Sequence, residues 1–451
     1  MEDPRDRRIA ELEAENAELC KRIAELERQL QTFLQRRKKH TPKKPPRQGT
    51  PADRRRAEHR QHPGTFRPDP PPDAKLIEHE VHPKHCAHCG GSDLEPTGEY
   101  DDHIVADIPE PRLEWHRYRR HVAKCHACHK TTQGRGDLEL PGAHIGPRTR
   151  LLAAYSRAHL GISLGKTRDL MHDFFGLTVS RAGLLGQLKW CGQLFEPVVD
   201  ELLERLRASP VVQGDETGWR INGRSAWAWC FRDPKLAIFL IDKHRSRAVI
   251  ERVLGPSFSG TLVSDFYAAY GGLDCDKQRC LVHLLRELAK LRETLPRQSV
   301  RAFVQPAIAL FQDAMQLAKD RETLEKPAFA AARRAIHDRF DDLLLGCRSE
   351  NPECLRIWRR LAKHCDELFT FLDDPRVPAD NNGCERDIRS LAAIRSDGGV
   401  HRAEWSAAAF ARIKSVIVTG LKNGKRFIEY GLSVVRAKLA GARLPLPIAS
   451  G

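Results

Sequence analysis

The sequence predicts a multidomain α/β protein, and three observations carry that expectation. The chain has 451 residues, too many for one ordinary core and enough for two to four domains. From 210 to 264 the helical spacing gives way to short apolar runs split by turn residues, the pattern of strands. From 281 to 375 the spacing is helical again, with Pro296, Pro306, Pro327 and Pro352 expected as breaks.

Taken in order, residues 8–34 read as a coiled coil. Ile9, Leu12, Asn16, Leu19, Ile23, Leu26, Leu30 and Phe33 alternate spacings of three and four, which are a and d positions. Asn16 at an a position favours a parallel pair in register, so a homodimer or higher oligomer is expected. Residues 35–79 read as a basic, proline-rich, disordered linker. Its stretch 36–75 holds 13 Lys and Arg against 4 Asp and Glu, with nine prolines, which cannot bury a core. That excess is much of the net charge of +15 and suits non-specific contact with phosphates.

Residues 80–135 form a cysteine-bearing module, with His103 to Ile108 and Trp115 to Lys124 expected as short strands. Cys86-x-x-Cys89 and Cys125-x-x-Cys128 are two thiolate pairs that together complete a tetrahedral zinc shell. The 35 residues between the pairs exceed usual ribbon spacing and must fold outside the knuckles. His85, His88, His126 and His129 are expected to be bystanders. Four thiolates leave no open position, so this Zn²⁺ would be structural. Residues 145–195 read as helical and helix-turn-helix-like: Ser163 to Phe175 and Ser180 to Trp190 flank the turn Gly176 to Val179, with Ser180 as N-cap.

Pro210 to Gly214, Ser225 to Phe231, Leu236 to Asp242 and Thr261 to Ser264 are the expected strands. Asn222-Gly223 is a hairpin turn, and Ala248 to Leu254 a helix before the last strand. On this unit Asp215 and Asp265 are expected at strand ends. Glu385 follows the run Asp380-Asn381-Asn382, an N-cap signal that puts it in the first turn of a helix. Three convergent carboxylates are hard oxygen ligands suited to Mg²⁺. Two such ions can activate a water or a 3′-hydroxyl and stabilise the leaving oxygen of a phosphodiester. Each acid alone could equally be a solvated turn or helix residue; only together do they point to chemistry.

No stretch approaches the roughly 20 apolar residues of a membrane span, and no secretory signal is read at the start. Thirteen cysteines, mostly scattered, suit a reduced cytoplasm.

Four blocks make the chain resemble the transposases of the insertion sequence 66 family. They are the coiled coil with its basic linker, the double C-x-x-C module, Gly214-Asp215-Glu216-Thr217, and Asp380-Asn381-Asn382 through Glu385-Arg386. The resemblance implies a ribonuclease H-like catalytic domain, here residues 208–272 and 378–435, interrupted by an α-helical insertion, 273–377. It places Asp215, Asp265 and Glu385 at an Asp-Asp-Glu triad. The gap of 120 residues between the last two leaves room for the insertion. Cys280-x-x-His283 resembles an element found after the second Asp in several such enzymes; one Cys and one His cannot close a zinc site alone. Arg386, Arg389 and Arg395 are candidate phosphate contacts. The run Ser396 to Val400 departs from the family pattern. The implied activity is Mg²⁺-dependent cleavage and joining of DNA at element ends and target. Implied too are a nucleoid-associated location and small accessory proteins encoded alongside. The competing readings are a dimeric zinc-containing DNA-binding regulator without catalysis, which has no need of the three acids, and a decayed element.

Overall fold

The computed structural model describes residues 70–346, 350–398 and 401–448. The expected coiled coil and residues 35–69 of the expected linker lie outside the described residues. The chain divides into two compact units, Met1–Ile104 and Val105–Gly451.

In the first unit, the described part contains the turn around Cys86, closed by bonds from the Cys86 N–H to the Gly91 carbonyl and from Gly90 to Cys86, each 2.8 Å. The second unit opens with a two-stranded ribbon, β1 (Val122–Lys124) and β2 (Thr131–Gln133), paired antiparallel around the Cys125 turn. Only the end of the expected Trp115–Lys124 strand is therefore formed, and 103–108 is not a strand. Ile104, Val105 and Ile108 are exposed: the alternation is there, but no neighbouring strand pairs with it.

Helices α1 (Pro147–Ala158), α2 (Leu164–Phe175) and α3 (Arg181–Arg207) follow. Ser180 caps α3 through its hydroxyl, as expected, and Ser163 caps α2 in the same way, while Gly176 turns the chain at φ 65°. The second helix of the pair is not short, however. It runs 27 residues, straight through Pro197. Cys191, Leu194, Phe195, Val198, Leu202 and Leu206 are all buried along it, and that packing outweighs the one backbone bond the proline removes.

The sheet comprises β3 (Val211–Ile221), β4 (Arg224–Arg232), β5 (Ala237–Asp242), β6 (Thr261–Ser264) and β7 (Lys277–Arg279), in the order β5-β4-β3-β6-β7. Strands β3, β4 and β5 form an antiparallel meander; β6 and β7 run parallel to β3. Asn222 and Gly223 make the β3–β4 turn with φ of 49° and 73°, as their sequence demands. Helix α4 (Arg247–Leu254) makes the crossover to β6.

Beyond β7 the insertion is helical: α5 (Leu281–Thr294), α6 (Gln305–Lys319), α7 (Lys326–Leu345) and α8 (Pro352–Lys363). Pro327 and Pro352 begin helices rather than break them, each in the first turn, where a missing N–H costs nothing. The chain returns through α9 (Asn382–Gly398), α10 (Glu404–Lys422) and α11 (Phe427–Leu439).

Two cores flank the sheet. One joins Val212, Trp229 and Phe231 to α1, α3, α4, α9, α10 and α11. The other joins Val211 and Val263, on the opposite face, to the insertion helices. Edge strand β5 is covered by α10, whose Ser415 and Thr419 hydroxyls accept from the N–H groups of Phe239 and Ala237 at 2.8 and 3.1 Å. That satisfies donors an edge would leave open. Among the described residues no helix is long and apolar enough to cross a membrane.

Candidate active site

The parallel pairing of β3 with β6 sets the site. Val211 lies opposite Thr261, Val212 opposite Leu262 and Gln213 opposite Val263. Two steps along the same register stand Asp215 and Asp265. Asp265 follows the last residue of β6, as expected. Asp215 does not end its strand: β3 continues six residues past it, and Asp215 pairs with Cys230 of β4. The polar run Asp215-Glu216-Thr217 reads like a strand end, yet Trp219 beyond it is buried and the hairpin partner carries the pairing onward.

Glu385 is brought in by the start of α9, in whose first turn it sits. The Asn381 side-chain amide donates to the carbonyl of Gly214 at 2.8 Å, and the Gln213 amide donates to that of Asp380 at 3.1 Å. The same segment is tied to the insertion: the Leu281 N–H donates to the Ala379 carbonyl at 3.0 Å, and the Asn381 N–H to the Cys280 thiol at 3.2 Å. Residues far apart in sequence thus hold one helix start beside the residue preceding Asp215.

Asp265 is held from its backbone. The fully buried Arg279 donates to the Asp265 carbonyl at 2.8 Å and to the Ser264 hydroxyl at 3.1 Å. Its Nε meets Glu367 of the insertion at 2.5 Å. The Asp265 carboxylate accepts the Tyr267 N–H at 2.8 Å. Among the described residues, neither Asp215 nor Asp265 has an ion-pair partner.

Asp215 is mostly buried, and its carboxyl is pushed up to about 7. Burial is the main cause, then the neighbouring charge of Glu216; Asp265 and Glu385 add to it, and a hydrogen bond from the Glu216 N–H opposes it. The three acids therefore feel one another. Their oxygens do not close into a tight group: among the described residues, the donor set lying within 4.8 Å is Cys280, His283 and Glu385. Glu385 turns one oxygen towards His283, 3.6 Å away, and the other towards Arg389 at 3.3 Å. The carboxylates of Asp215 and Asp265, without an ion-pair partner among the described residues, are hard oxygen donors of the kind a divalent cation takes.

The pH consequence has a definite sign. The folded chain holds a proton on Asp215 that an unfolded chain, with its usual carboxyl near 3.8, would release. Stability from this group falls as pH rises from about 4 to about 7, and the full cost of burying the charge is present above that. A bound cation offsets this cost and displaces the proton. Added Mg²⁺ should raise the melting temperature more at pH 8 than at pH 6, and Asp215→Asn should flatten that difference. Equal shifts at both pH values would contradict it.

Sequence reading missed Glu216. Its side chain is almost wholly buried. It accepts from Arg245 at 2.7 and 2.9 Å and from the Tyr270 hydroxyl at 2.5 Å. The Arg245 guanidinium lies between the rings of Trp227 and Tyr267, 4.5 and 3.9 Å from their centroids. Burial raises the Glu216 carboxyl. Asp387, two residues beyond Glu385, is likewise engaged, by Arg232 at 3.2 Å and Lys422 at 3.0 Å. Neither had a local signal, since all their partners are distant in sequence. The α9 arginines Arg386, Arg389 and Arg395 are all exposed; Arg389 reaches Glu385 and Arg395 donates to the Gly218 carbonyl.

Residues 144–409 match the family described as "Transposase IS66 family", and residues 83–129 match the "zinc-finger binding domain of transposase IS66". Among similar proteins are two from Sinorhizobium fredii (strain NBRC 101917 / NGR234). Uncharacterized protein y4jD is 25% identical over 378 residues, covering 74% of this chain and 72% of that protein. Uncharacterized protein y4qI is 24% identical over 387 residues, covering 77% and 70%. The first match spans more than half the chain and contains Asp215, Asp265 and Glu385; the chain belongs to the IS66 family of transposases.

Proposed function

We propose that this chain is a DNA transposase of the Asp-Asp-Glu type, cutting and joining DNA at the ends of its element with Mg²⁺ held by Asp215, Asp265 and Glu385. The observation that carries the reading is the register. Two parallel neighbouring strands set Asp215 beside Asp265, and the Asn381–Gly214 bond straps the Glu385 helix to the same strand. The strand order β5-β4-β3-β6-β7, with three antiparallel strands followed by two parallel ones, supports a ribonuclease H-like domain, and the helices from α5 to α8 its insertion. Divalent ions bound there would supply Lewis-acid activation of the attacking and leaving oxygens. The strands fix two ligands rigidly, Arg279 fixes the Asp265 peptide, and Arg245 pairs with Glu216, the like charge that bears most on Asp215. Arg386 and Arg389 face solvent beside Glu385, where DNA phosphates would pass. The test is incubation of the purified chain with linear DNA carrying the element's ends, with and without Mg²⁺. Metal-dependent nicking at those ends is expected; its absence with intact end binding would favour a non-catalytic DNA-binding protein.

The zinc module is read as a structural DNA-binding element, with Cys86, Cys89, Cys125 and Cys128 as ligands. Its support is a shared turn. At Cys125, the Cys125 N–H donates to the Lys130 carbonyl at 2.8 Å and the His129 N–H to the Cys125 carbonyl at 2.9 Å, the same pattern as Cys86 makes with Gly91 and Gly90. The residue closing each turn has positive φ, 76° at Gly90 and 58° at His129. Peptide N–H groups point at the sulfurs: His88 and then Cys89 lower the Cys86 thiol, Cys128 and then Ala127 that of Cys125. Such turns present thiolates to a metal. Replacing Cys89 and Cys128 with Ser should remove one zinc per chain and weaken DNA binding by at least about tenfold, since a structural site holds its module folded. Unchanged zinc content would refute the assignment.

A further inference from the structure

The starts of two helices meet beside the triad without belonging to the same stretch of chain. Cys280 is the residue from which α5 springs, His283 lies in the first turn of that helix, and Glu385 lies in the first turn of α9. One thiol sulfur, one imidazole nitrogen and one carboxylate oxygen all fall within 4.8 Å of each other. Cys280 is fully buried, and Glu385 is only 9% exposed.

This arrangement is poorly explained as an ordinary ion pair. His283 Nε2 and Glu385 Oε1 are 3.6 Å apart, too far for a hydrogen bond. The buried Glu385 Oε1 has no hydrogen-bond partner, and neither does His283 Nδ1. Two nearby groups that could have closed to 2.8 Å stand instead at a ligand-to-ligand separation. Around a tetrahedral ion with metal–nitrogen and metal–oxygen bonds near 2.0 Å and metal–sulfur near 2.3 Å, neighbouring donors lie about 3.3 to 3.6 Å apart. Burial raises the Cys280 thiol, and the helix starts partly oppose it. Both the thiol and the carboxylate sit at helix N-termini, where the aligned peptide dipoles stabilise negative charge, and the Asn381 N–H already points at the sulfur.

We propose that Cys280, His283 and Glu385 form a second metal site, selective for a thiophilic divalent ion of the Zn²⁺ class and distinct from the all-oxygen Asp215/Asp265 position. Sulfur and imidazole are soft to borderline donors that bind Zn²⁺ far better than Mg²⁺. Three protein ligands leave a fourth position for water or a DNA oxygen. Glu385 is shared, so occupancy of this site and of the Mg²⁺ position are coupled; that coupling, unlike the site itself, rests on the catalytic reading above.

The test is metal stoichiometry on the full chain, equilibrated with Zn²⁺ and passed over a weak chelating resin, followed by Co²⁺ substitution and absorption spectroscopy. His283→Gln and Cys280→Ser are compared with the wild type and with Asp215→Asn. The expected result is a loss of one ion per chain in the first two variants alone, whatever the cysteine module holds. Co²⁺ in the wild type should add a sulfur-to-metal charge-transfer band that Cys280→Ser removes. Circular dichroism and melting curves confirm that the variants are folded; if Cys280→Ser is not, His283→Gln, whose side chain is one-third exposed, decides alone. Equal metal content in the wild type and His283→Gln overturns the proposal. Loss of cleavage in Asp215→Asn with its metal count unchanged from the wild type separates the two sites. Retained cleavage in that variant would count against the catalytic reading and leave this site standing.

Discussion

On the proposed reading, Asp215→Asn, Asp265→Asn and Glu385→Gln are each expected to reduce Mg²⁺-dependent cleavage of element-end DNA by about 10²- to 10³-fold, the scale of losing one preorganised charge contact at a reacting centre. The substitutions keep shape and remove charge. Asp215→Asn should even stabilise the metal-free fold near neutral pH, because burial already pushes that carboxyl up to about 7 and the amide has no charge to bury. Lost activity with equal or higher melting temperature is therefore the signature of a ligand rather than a prop. DNA binding, which rests on other surfaces, should persist. The choice of control matters. Glu216 and Asp387 are the nearest acids in sequence, yet each is buried among cationic partners. Glu216→Gln should weaken the Arg245 grip and cost activity by about tenfold, so it cannot serve as a silent neighbour. Asp313→Asn on the insertion surface, half exposed and paired with Arg339, is the matched blank. A folded Asp265→Asn or Glu385→Gln protein that cuts at the Asp313→Asn rate would remove the triad assignment.

The parts of this site legible from sequence are those fixed by local rules. Asn222-Gly223 announces its own turn, Ser180 caps its helix, and the apolar run Thr261–Ser264 stops where Asp265 begins. Glu385 follows an Asp-Asn-Asn run and duly lies in a first turn. What escaped are features made by distant partners. Strand β7 is Lys277-Gln278-Arg279, which reads as surface, yet Gln278 and Arg279 are completely buried. Gln278 donates to the Leu368 carbonyl, and Arg279 reaches Glu367; nothing within ten residues could have indicated either. Glu216, Asp387 and the meeting of Cys280 and His283 with Glu385 are of the same kind. A C-x-x-H pair looked unable to close a metal site because its third ligand lies on a helix that only the fold delivers.

That delivery makes Gly383 a sensitive position. A methyl group built there would sit 1.8 Å from the Arg232 guanidinium and 2.4 Å from the Gln213 side-chain oxygen. Both atoms end flexible side chains, but neither is free to leave. Arg232 donates to Gln213 at 3.1 Å and pairs with Asp387, and Gln213 holds the Asp380 carbonyl. Gly383→Ala must therefore either expel Arg232, leaving Asp387 largely buried with Lys422 as its remaining ion pair, or lift the first turn of α9 off β3 and β4. Breaking a buried pair by removing one partner costs about 3 to 5 kcal/mol; with Lys422 retained, the lower end is expected. Lifting the turn displaces Glu385, two residues on, and a shift of about 1 Å at a reacting centre costs about 10²-fold in rate. The expected result is a protein that still folds, melts several degrees lower, binds DNA, and cuts about 10²-fold more slowly. Adding Arg232→Met to Gly383→Ala relieves the clash at the cost of the ion pair and should restore part of the rate without restoring the melting temperature. If Gly383→Ala alone cuts at the wild-type rate, the start of α9 is not the rigid mount for Glu385 that its bonds to Gly214 and Gln213 describe.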